Sequence, residues 1–449
     1  MWLQDRLANL VSAMGTQKDK ATHSRHYLRE LTQPELLNMY RGDWISRKVV
    51  DIPAFDMIRE GRDWKADKAD IEKLEKEERR LQIWPKLAKA LQLARLYGGS
   101  ALILGDGADR PSTPLDPERI AQGGLKFVHV ASRYDIRASG QIDKDPMSPG
   151  WGEPLGYEMT GTRGGVTIHP SRVIPFLGAG LPDLNFSDGW GDSVLQAVDE
   201  AIENAGLAGA AIAQLLQEAK VDVFKLKDFM ANVGDEAYRN KVLTRLSLAN
   251  QGKSISNALV MDAEEEWEQK QISFAQLPEV LQLFLQIAAG AADIPVTRLL
   301  GQSPSGMNST GESDVRNYYD RLASEQNVFL RPRVEKLDEV LIRSGLGARP
   351  EEVHFAFSPL WQLGEKEQAD IFKTKADGAR TLAGNGGASP PLVPIEALSD
   401  ALVNTFVEDG SLPGLEAAMK EYGKLSEQEE DPAEEAAALR DPIPPPEEA

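Results

Sequence analysis

The feature that most constrains this chain is an uncharged loop between two helical patterns, within residues 288–344. Apolar residues at helical spacing lead into it, among them Leu277, Leu281 and Phe284. Residues 301–311 then carry no charged side chain and consist of Gly, Ser, Pro, Gln, Met, Asn and Thr. That composition is typical of an exposed loop. The stretch therefore predicts a unit of helix, loop and long helix.

The second helix of this unit is predicted to be long and interrupted. Ser309 and Glu312 have the spacing of a capping box, which predicts a helix start at Ser309. Pro332 lies inside the pattern and predicts a kink, because proline lacks a backbone donor. One apolar stripe follows from residues at mostly three- and four-residue steps: Val315, Tyr319, Leu322, Leu330, Val334, Leu337 and Leu341. From the pattern alone, a surface loop between two packed helices is the ordinary interpretation.

The composition excludes several classes of function. The 449 residues include no cysteine, so disulfides and cysteine metal sites are excluded. No apolar run reaches the roughly 20 residues of a membrane span, and no N-terminal signal pattern is present. The net charge is −20, of which residues 421–449, with ten acidic and two basic residues, contribute −8. Sequence-specific DNA binding relies on neutralising phosphates, so this balance argues against it. It is compatible with a channel through which DNA slides.

The titratable residues and phosphate-binding motifs suggest no catalytic centre. A Gly-Lys-Ser sequence ends at Ser254, but Ser247 stands where a phosphate-binding loop requires its first glycine, and a helix precedes it. We therefore expect no ATPase, no cofactor and no metal. The histidines are scattered without metal-ligand spacing and are expected to be structural: His23, His26, His129, His169 and His354.

Several strings of residues resemble the portal proteins of tailed bacteriophages. They are Asp293-Ile-Pro-Val-Thr-Arg-Leu-Leu-Gly, Gly306-Met-Asn-Ser-Thr-Gly-Glu-Ser-Asp, Asn317-Tyr-Tyr-Asp, Leu330-Arg-Pro and, locally, His169-Pro-Ser-Arg-Val-Ile-Pro-Phe. The resemblance covers roughly residues 30–420 and is strongest in 165–180 and 290–335. It implies an α+β class: a mainly helical portal fold with wing, stem, clip and crown parts and small β-rich insertions.

The resemblance also implies a division of the chain. In order, the expected parts are an N-terminal arm (1–30), a wing of helices and a small β part (31–190), stem helix 1 (191–220), a clip (221–273), stem helix 2 (274–297), a tunnel loop (298–311), a long kinked helix returning to the wing (312–362), crown-like C-terminal helices (363–420) and an acidic, Pro-rich, disordered tail (421–449).

The site residues that the resemblance implies line a DNA channel. The tunnel loop would place an uncharged constriction around the DNA with Gln302, Ser303, Pro304, Ser305, Gly306, Met307, Asn308, Ser309 and Thr310. On stem helix 1, Asp199, Glu200 and Glu203 would repel DNA if they face inward. Gly206 and Gly209 belong to a small-residue stretch that allows close helix packing, either within the subunit or against a neighbour.

A portal function implies a set of partners. The resemblance implies a homo-oligomeric ring of about twelve copies at one capsid vertex of the virion, assembled in the host bacterial cytoplasm without a membrane. Double-stranded DNA would pass through it without sequence specificity during packaging and ejection. The terminase large subunit, the major capsid and scaffold proteins and a head–tail adaptor would bind to it.

Two alternatives come from other classes. Similar sequences are linked to phage phosphodiesterases acting on cyclic nucleotide signals, which need two H-x-[ST] motifs so that one histidine serves as base and the other as acid. This chain has one, His169-Pro-Ser171, and Pro170 favours a turn there. The expectation is accordingly that the chain is not an enzyme. A non-portal head–tail adaptor is the other alternative, against which the chain length argues.

Overall fold

The computed structural model describes residues 29–107, 110–148, 150–160, 165–182, 189–217, 220–225, 234–256, 266–271, 276–301, 311–361, 364–384 and 393–408. The chain divides into two compact units, Met1–Leu360 and Trp361–Ala449. Helices dominate and the sheets are small, which confirms the predicted α+β class.

The first two helices begin with side-chain hydrogen bonds. Helix α1 (Gln33–Gly42) follows Thr32, whose backbone N–H and hydroxyl donate to Glu35 Oε2 at 2.9 and 2.8 Å. Helix α2 (Trp44–Asp56) follows Asp43, whose carboxylate accepts the backbone N–H of Ser46 at 2.6 Å. Each bond satisfies a backbone or hydroxyl donor at a helix start, where intrahelical partners are missing.

Two more helices flank the first strand and complete the helical part. Strand β1 (Arg62–Lys65) leads to α3 (Lys68–Leu81) and α4 (Ile83–Tyr97). From α4, Arg95 reaches α2, donating from Nη2 to the Val49 carbonyl at 2.9 Å and from Nε to the Val50 carbonyl at 3.2 Å. Pro53 lies inside α2 and has no N–H for the Val49 carbonyl four residues earlier. Arg95 thus occupies a carbonyl that the proline leaves free.

Two three-stranded antiparallel sheets follow. In the first, β2 (Gly99–Gly105) lies between β3 (Phe127–Ser132) and β7 (Val173–Leu177). The second contains β4 (Ile136–Ala138), β5 (Tyr157–Met159) and β6 (Val166–Ile168) in that order. Buried residues form a common core between them, including Ala101, Ile136, Tyr157, Ile168 and Trp190. These small sheets agree with the small β-rich insertions that the resemblance implied.

A pair of packed helices encloses an αβ insertion. Helix α5 (Val194–Gln217) precedes it, and β8 (Lys220–Lys225), α6 (Glu236–Ser256) and β9 (Glu266–Gln271) form it. Strands β8 and β9 pair antiparallel with Lys220 opposite Gln271. Helix α7 (Leu277–Ala291) then returns and packs on α5. The insertion therefore leaves and re-enters the helix pair through two neighbouring strands.

A glycine in a left-handed conformation precedes the long helix. After α8 (Val296–Leu300), the next helix, α9 (Glu312–Glu325), begins at Glu312, with Gly311 before it at a φ of 65°. A capping box from Ser309 to Glu312 would make Thr310 the first helical residue, two residues before the observed start at Glu312. Ser309 itself lies outside the described residues. The left-handed conformation of Gly311 separates the loop from the helix.

A π-helical turn lies just before Pro332, where the sequence predicts a kink. Residues Gln326–Leu330 form that turn between α9 and α10 (Arg331–Leu346). Pro332 is the second residue of α10 and has no N–H to donate to a carbonyl of the helical residues before it. Strand β10 (His354–Phe357) then pairs with β1, placing Phe357 opposite Arg62.

The second unit contributes two described helices, α11 (Glu365–Ala383) and α12 (Ile395–Glu408). They pack on each other, with the rings of Phe372 and Phe406 at 5.1 Å between centroids. Among the helices in the described parts of the chain, none combines the length and hydropathy needed to span a bilayer.

Candidate functional site

The predicted tunnel loop itself cannot be placed. Gln302, Ser303, Pro304, Ser305, Gly306, Met307, Asn308, Ser309 and Thr310 all lie outside the described residues. The glycines on either side are described, and both have left-handed backbone conformations, with φ of 71° at Gly301 and 65° at Gly311. Glycine adopts this conformation without the steric cost that a Cβ brings.

Both flanks of this segment contact one carboxylate, that of Asp56 at the end of α2. Arg298 of α8 donates to it from Nη2 at 2.6 Å and from Nε at 3.0 Å. The Tyr318 hydroxyl of α9 donates to Asp56 Oδ2 at 3.2 Å. The Asp56 side chain is wholly buried. Burial, then the Asp56 charge, raises the pKa of the Tyr318 phenol, which therefore remains a donor.

Other residues of α2 and of the turn after it make further hydrogen bonds to α8 and α9. Lys48 Nζ donates to the Leu299 carbonyl at 2.6 Å. Arg59 Nη1 donates to the Tyr319 hydroxyl at 3.0 Å, and its guanidinium lies 4.7 Å from the ring centroid. Helices α8 and α9 are thus each bound to the same region at more than one point.

The predicted acidic residues of α5 do not share one environment. Asp199 is half-buried, and Glu200 and Glu203 are exposed. Asp199 and Glu203 line a surface cavity of about 360 Å³ together with Arg29 and Glu35. Burial raises the pKa of Asp199; Arg29 opposes this, and Glu203 adds to it. Two of the three residues therefore face a groove beside α1. Whether any of them faces a DNA channel stays a prediction.

The small residues of α5 have open space around them. An added Cβ would meet nothing within 4 Å at Gly206, and at Gly209 only Leu281 Cδ1 of α7 at 3.9 Å. The residues that the sequence analysis missed are large apolar side chains on this helix pair. Leu207 is 59% exposed, and on α7 Leu283 is 55% exposed and Ile287 51%. The absence of charge over residues 204–217 was the available signal for them.

The single H-x-[ST] motif forms a turn. The backbone N–H of Ser171 points at His169 Nδ1 at 3.2 Å, so this nitrogen is an acceptor and the ring proton lies on Nε2. The Ser171 hydroxyl lies 2.9 Å from the same nitrogen and accepts the Leu115 N–H at 2.7 Å. Within the described ranges, no group of three or more His, Cys, Asp or Glu side chains could hold a metal ion.

The comparison with protein families gives the class that the sequence resemblance implied. The chain matches the phage portal protein family over residues 34–381 and belongs to it. It is 33% identical to an uncharacterized protein of Haemophilus influenzae, over 86% of this chain and 88% of that protein.

Two further relatives carry a different name. A protein of Caulobacter sp. (strain RHG1) is 49% identical over 95% of this chain and 70% of its own length. One of Sphingomonas paeninsulae is 40% identical over 93% of this chain and 67% of its own length. Both are named anti-CBASS protein Acb1.

Similar solved structures come from phage-like particles. A chain from the neck of an empty gene transfer agent particle has a TM-score of 0.49 at 16% identity, over 80% of this chain and 93% of its own. An HK97-family phage portal protein from Corynebacterium diphtheriae has a TM-score of 0.36 at 11% identity, over 77% of this chain and 99% of its own. These likenesses are remote, and the family assignment rests on the sequence match.

The expectation that the chain is not an enzyme is wrong. It is contradicted by the two relatives named anti-CBASS protein Acb1. The expectation rested on counting H-x-[ST] motifs. Such a count detects only one arrangement of acid and base, so it misses a catalytic set assembled from other residues.

Proposed function

We propose that this chain is the subunit of a portal ring at one capsid vertex, through which double-stranded DNA is packaged and ejected. The observation that carries the proposal is the α5–α7 helix pair, which presents large apolar side chains and open glycine surface to solvent. Contiguous exposed apolar surface on a soluble subunit marks an interaction site. The family membership of the chain supports the same function.

The two helices supply different surfaces, which suits a ring. Helix α5 exposes Leu207 and Leu216, and α7 exposes Leu283 and Ile287. A contact between two different faces of identical subunits repeats head to tail and closes into a ring when the rotation permits. The open space at Gly206 would let a neighbouring helix approach closely. We propose a ring of about twelve copies.

The proposed channel chemistry depends on weak contacts. Residues 302–310 carry no charge, so they would contact phosphates without strong ion pairs and let DNA slide. The carboxylates of Asp199, Glu200 and Glu203 would keep the backbone from adhering wherever they face it, because like charges repel. Neither contact would depend on base sequence, since neither reads base edges.

We propose that the remaining parts of the chain bind the partner proteins. The αβ insertion (221–273) would dock the terminase large subunit and later a head–tail adaptor. The wing (31–190) would contact the major capsid and scaffold proteins during assembly in the host cytoplasm. The arm, stem, crown and tail boundaries expected from the sequence belong to the same proposal.

Ring formation is testable with a matched pair of variants. Leu283 and Leu155 are both 55% exposed, but Leu155 lies next to β5, away from the helix pair. Native mass spectrometry and electron-microscopy class averages should show a closed ring for the original chain and for Leu155→Glu. Leu283→Glu should give monomers with unchanged circular dichroism. Rings of equal yield for both variants would contradict the proposed contact.

The tunnel loop is tested separately, by deleting residues 303–309. The ring should still form, because the proposed contacts lie on α5 and α7. DNA packaging or retention should fall in particles built with the deleted chain. Normal packaging would refute the assignment of this segment to the channel.

A second candidate function is hydrolysis of a cyclic nucleotide. The shared name of the two relatives favours it. His169 would be the first residue to test, because its Nε2 is not used by the Ser171 contacts. The purified chain would be incubated with cyclic mono- and dinucleotides and the products separated by chromatography, with His169→Ala beside His129→Ala as control. Absence of turnover by the original chain would contradict this candidate.

A further inference from the structure

We infer that Asp56 is a positioning residue that fixes both ends of the segment 302–310 to helix α2. The inference rests on the proposed role of that segment in the DNA channel. Its basis is one buried carboxylate that accepts hydrogen bonds from the elements on either side: Arg298, three residues before Gly301, and Tyr318, in the second turn of α9.

The carboxylate is a fixed point because α2 is part of the core. Val49, Val50 and Ala54 of this helix are fully or almost fully buried. Asp56 itself has no exposed side-chain surface. A group on a packed helix in the close-packed interior moves little. It can therefore serve as a reference position for less constrained neighbours.

The entry side is held at two points along α2. The Arg298 guanidinium binds the Asp56 carboxylate through two nitrogens, a geometry that fixes direction as well as distance. Lys48 holds the next carbonyl, that of Leu299, from a position about 12 Å earlier on α2. Two separated contacts restrict rotation of α8 as well as its translation.

The exit side is held by adjacent tyrosines. Tyr318 donates to Asp56, and Tyr319 accepts from Arg59, three residues after Asp56. Farther along, Gln326 Nε2 donates to the Met57 carbonyl at 2.6 Å. The first turns of α9 and its end thus contact the same short part of the chain, residues 56–59. Both flanks of the segment are thus held by α2 and the turn after it.

The proposed positioning role requires a negatively charged side chain at position 56. An Asn there keeps the shape but has one acceptor oxygen and no charge, so Arg298 would lose one of its two bonds and its counter-ion. Hydrogen bonds to charged groups contribute about 1.5–3 kcal/mol. By the conversion of 1.4 kcal/mol per factor of ten, local opening of the flanks should rise at least about tenfold in Asp56→Asn.

Hydrogen–deuterium exchange of the full chain tests this inference. Exchange of the amides in 296–300 and 312–318 should rise together in Asp56→Asn. Tyr318→Phe, which removes only the hydroxyl, should raise exchange at 312–318 alone. Asp320→Asn, at an exposed carboxylate on the same helix as Tyr318, is the control and should change neither flank.

The outcomes separate this inference from the proposed function. Unchanged exchange in both flanks of Asp56→Asn would overturn the inference. An equal rise throughout the protein would overturn it too, because Asp56 would then act only on general stability. The deletion of 303–309 tests the channel role separately, so normal packaging by that deletion would refute the proposed function whatever the exchange data show.

Discussion

Replacing Arg62 by Met should expose the cost of isolating two buried carboxylates. The Arg62 side chain is 1% exposed. It donates to Glu78 Oε1 at 2.7 and 3.0 Å and to Asp338 Oδ2 at 2.6 Å. Its guanidinium also lies 4.0 Å from the Trp64 ring centroid. Methionine retains much of the apolar part of the Arg62 side chain but has no hydrogen-bond donor.

The expected loss in the free energy of unfolding is about 3–5 kcal/mol, the range for breaking a buried pair by removing one partner. The loss should grow with pH. Burial raises the pKa of Asp338 to about 6, against the opposing effect of Arg62. A carboxylate whose folded pKa is raised destabilises the fold as pH rises above its unfolded value. Without Arg62 the pKa of Asp338 rises further, so the variant should lose more stability at pH 8 than at pH 5.

Urea unfolding followed by tryptophan fluorescence measures this loss, with Trp64 as a local reporter. The control is Arg79→Met on α3, the helix of Glu78, because the Arg79 side chain is 71% exposed and pairs with Glu75 at 3.4 Å. That exposed pair should contribute less than about 1 kcal/mol. Adding Asp338→Asn to Arg62→Met should restore part of the lost stability, because it removes one buried carboxylate charge that has lost its Arg62 partner. A loss at pH 8 that is no larger than that of the control would refute the reasoning.

Three further perturbations follow from the described contacts. Arg95→Met removes the donors to the carbonyls in α2 and should lower the free energy of unfolding by about 1–3 kcal/mol, measured in urea; an unchanged midpoint would contradict this. Gly178→Ala would place a Cβ 2.4 Å from the Asp192 carbonyl oxygen and should cost about 1–3 kcal/mol, whereas Gly206→Ala, with open space, should not destabilise the monomer. Hydrogen bonds from the Thr32 backbone, the Thr32 hydroxyl and Arg29 lower the pKa of Glu35 to about 2. The contribution of Glu35 to stability is therefore present above pH 4.5 and is lost as the pH falls toward 2. In Glu35→Gln the melting temperature should depend less on pH over that range.

Local patterns predicted most of the elements. The apolar periodicity placed the long helix, and Pro332 indicated its interruption, because both signals act within a few residues. The capping box from Ser309 requires Glu312 to be the third helical residue, whereas Glu312 is the first residue of α9. A left-handed Gly311 ends the loop instead, and backbone handedness leaves no side-chain signal beyond the presence of glycine.

The Asp56 cluster could not be predicted from one sequence. Its carboxylate lies 242 residues from Arg298 and 262 from Tyr318. No periodicity or spacing rule relates residues so far apart, and Asp and Arg are types that usually lie on the surface. The family resemblance located the segment between the flanks but gave no indication of what holds them.

The pairing of β1 with β10 has a consequence for biosynthesis. Arg62 is 276 residues away from its partner Asp338. At a translation rate of about 5–20 residues per second, the ribosome needs roughly 14 to 55 seconds to make the chain between them. During that time Arg62, Trp64 and the inner side of α3 lack the partners that α10 and β10 supply. Closing so large a loop is also slow. The nascent chain should therefore depend on chaperones for this interval, and slowing translation should increase its aggregation.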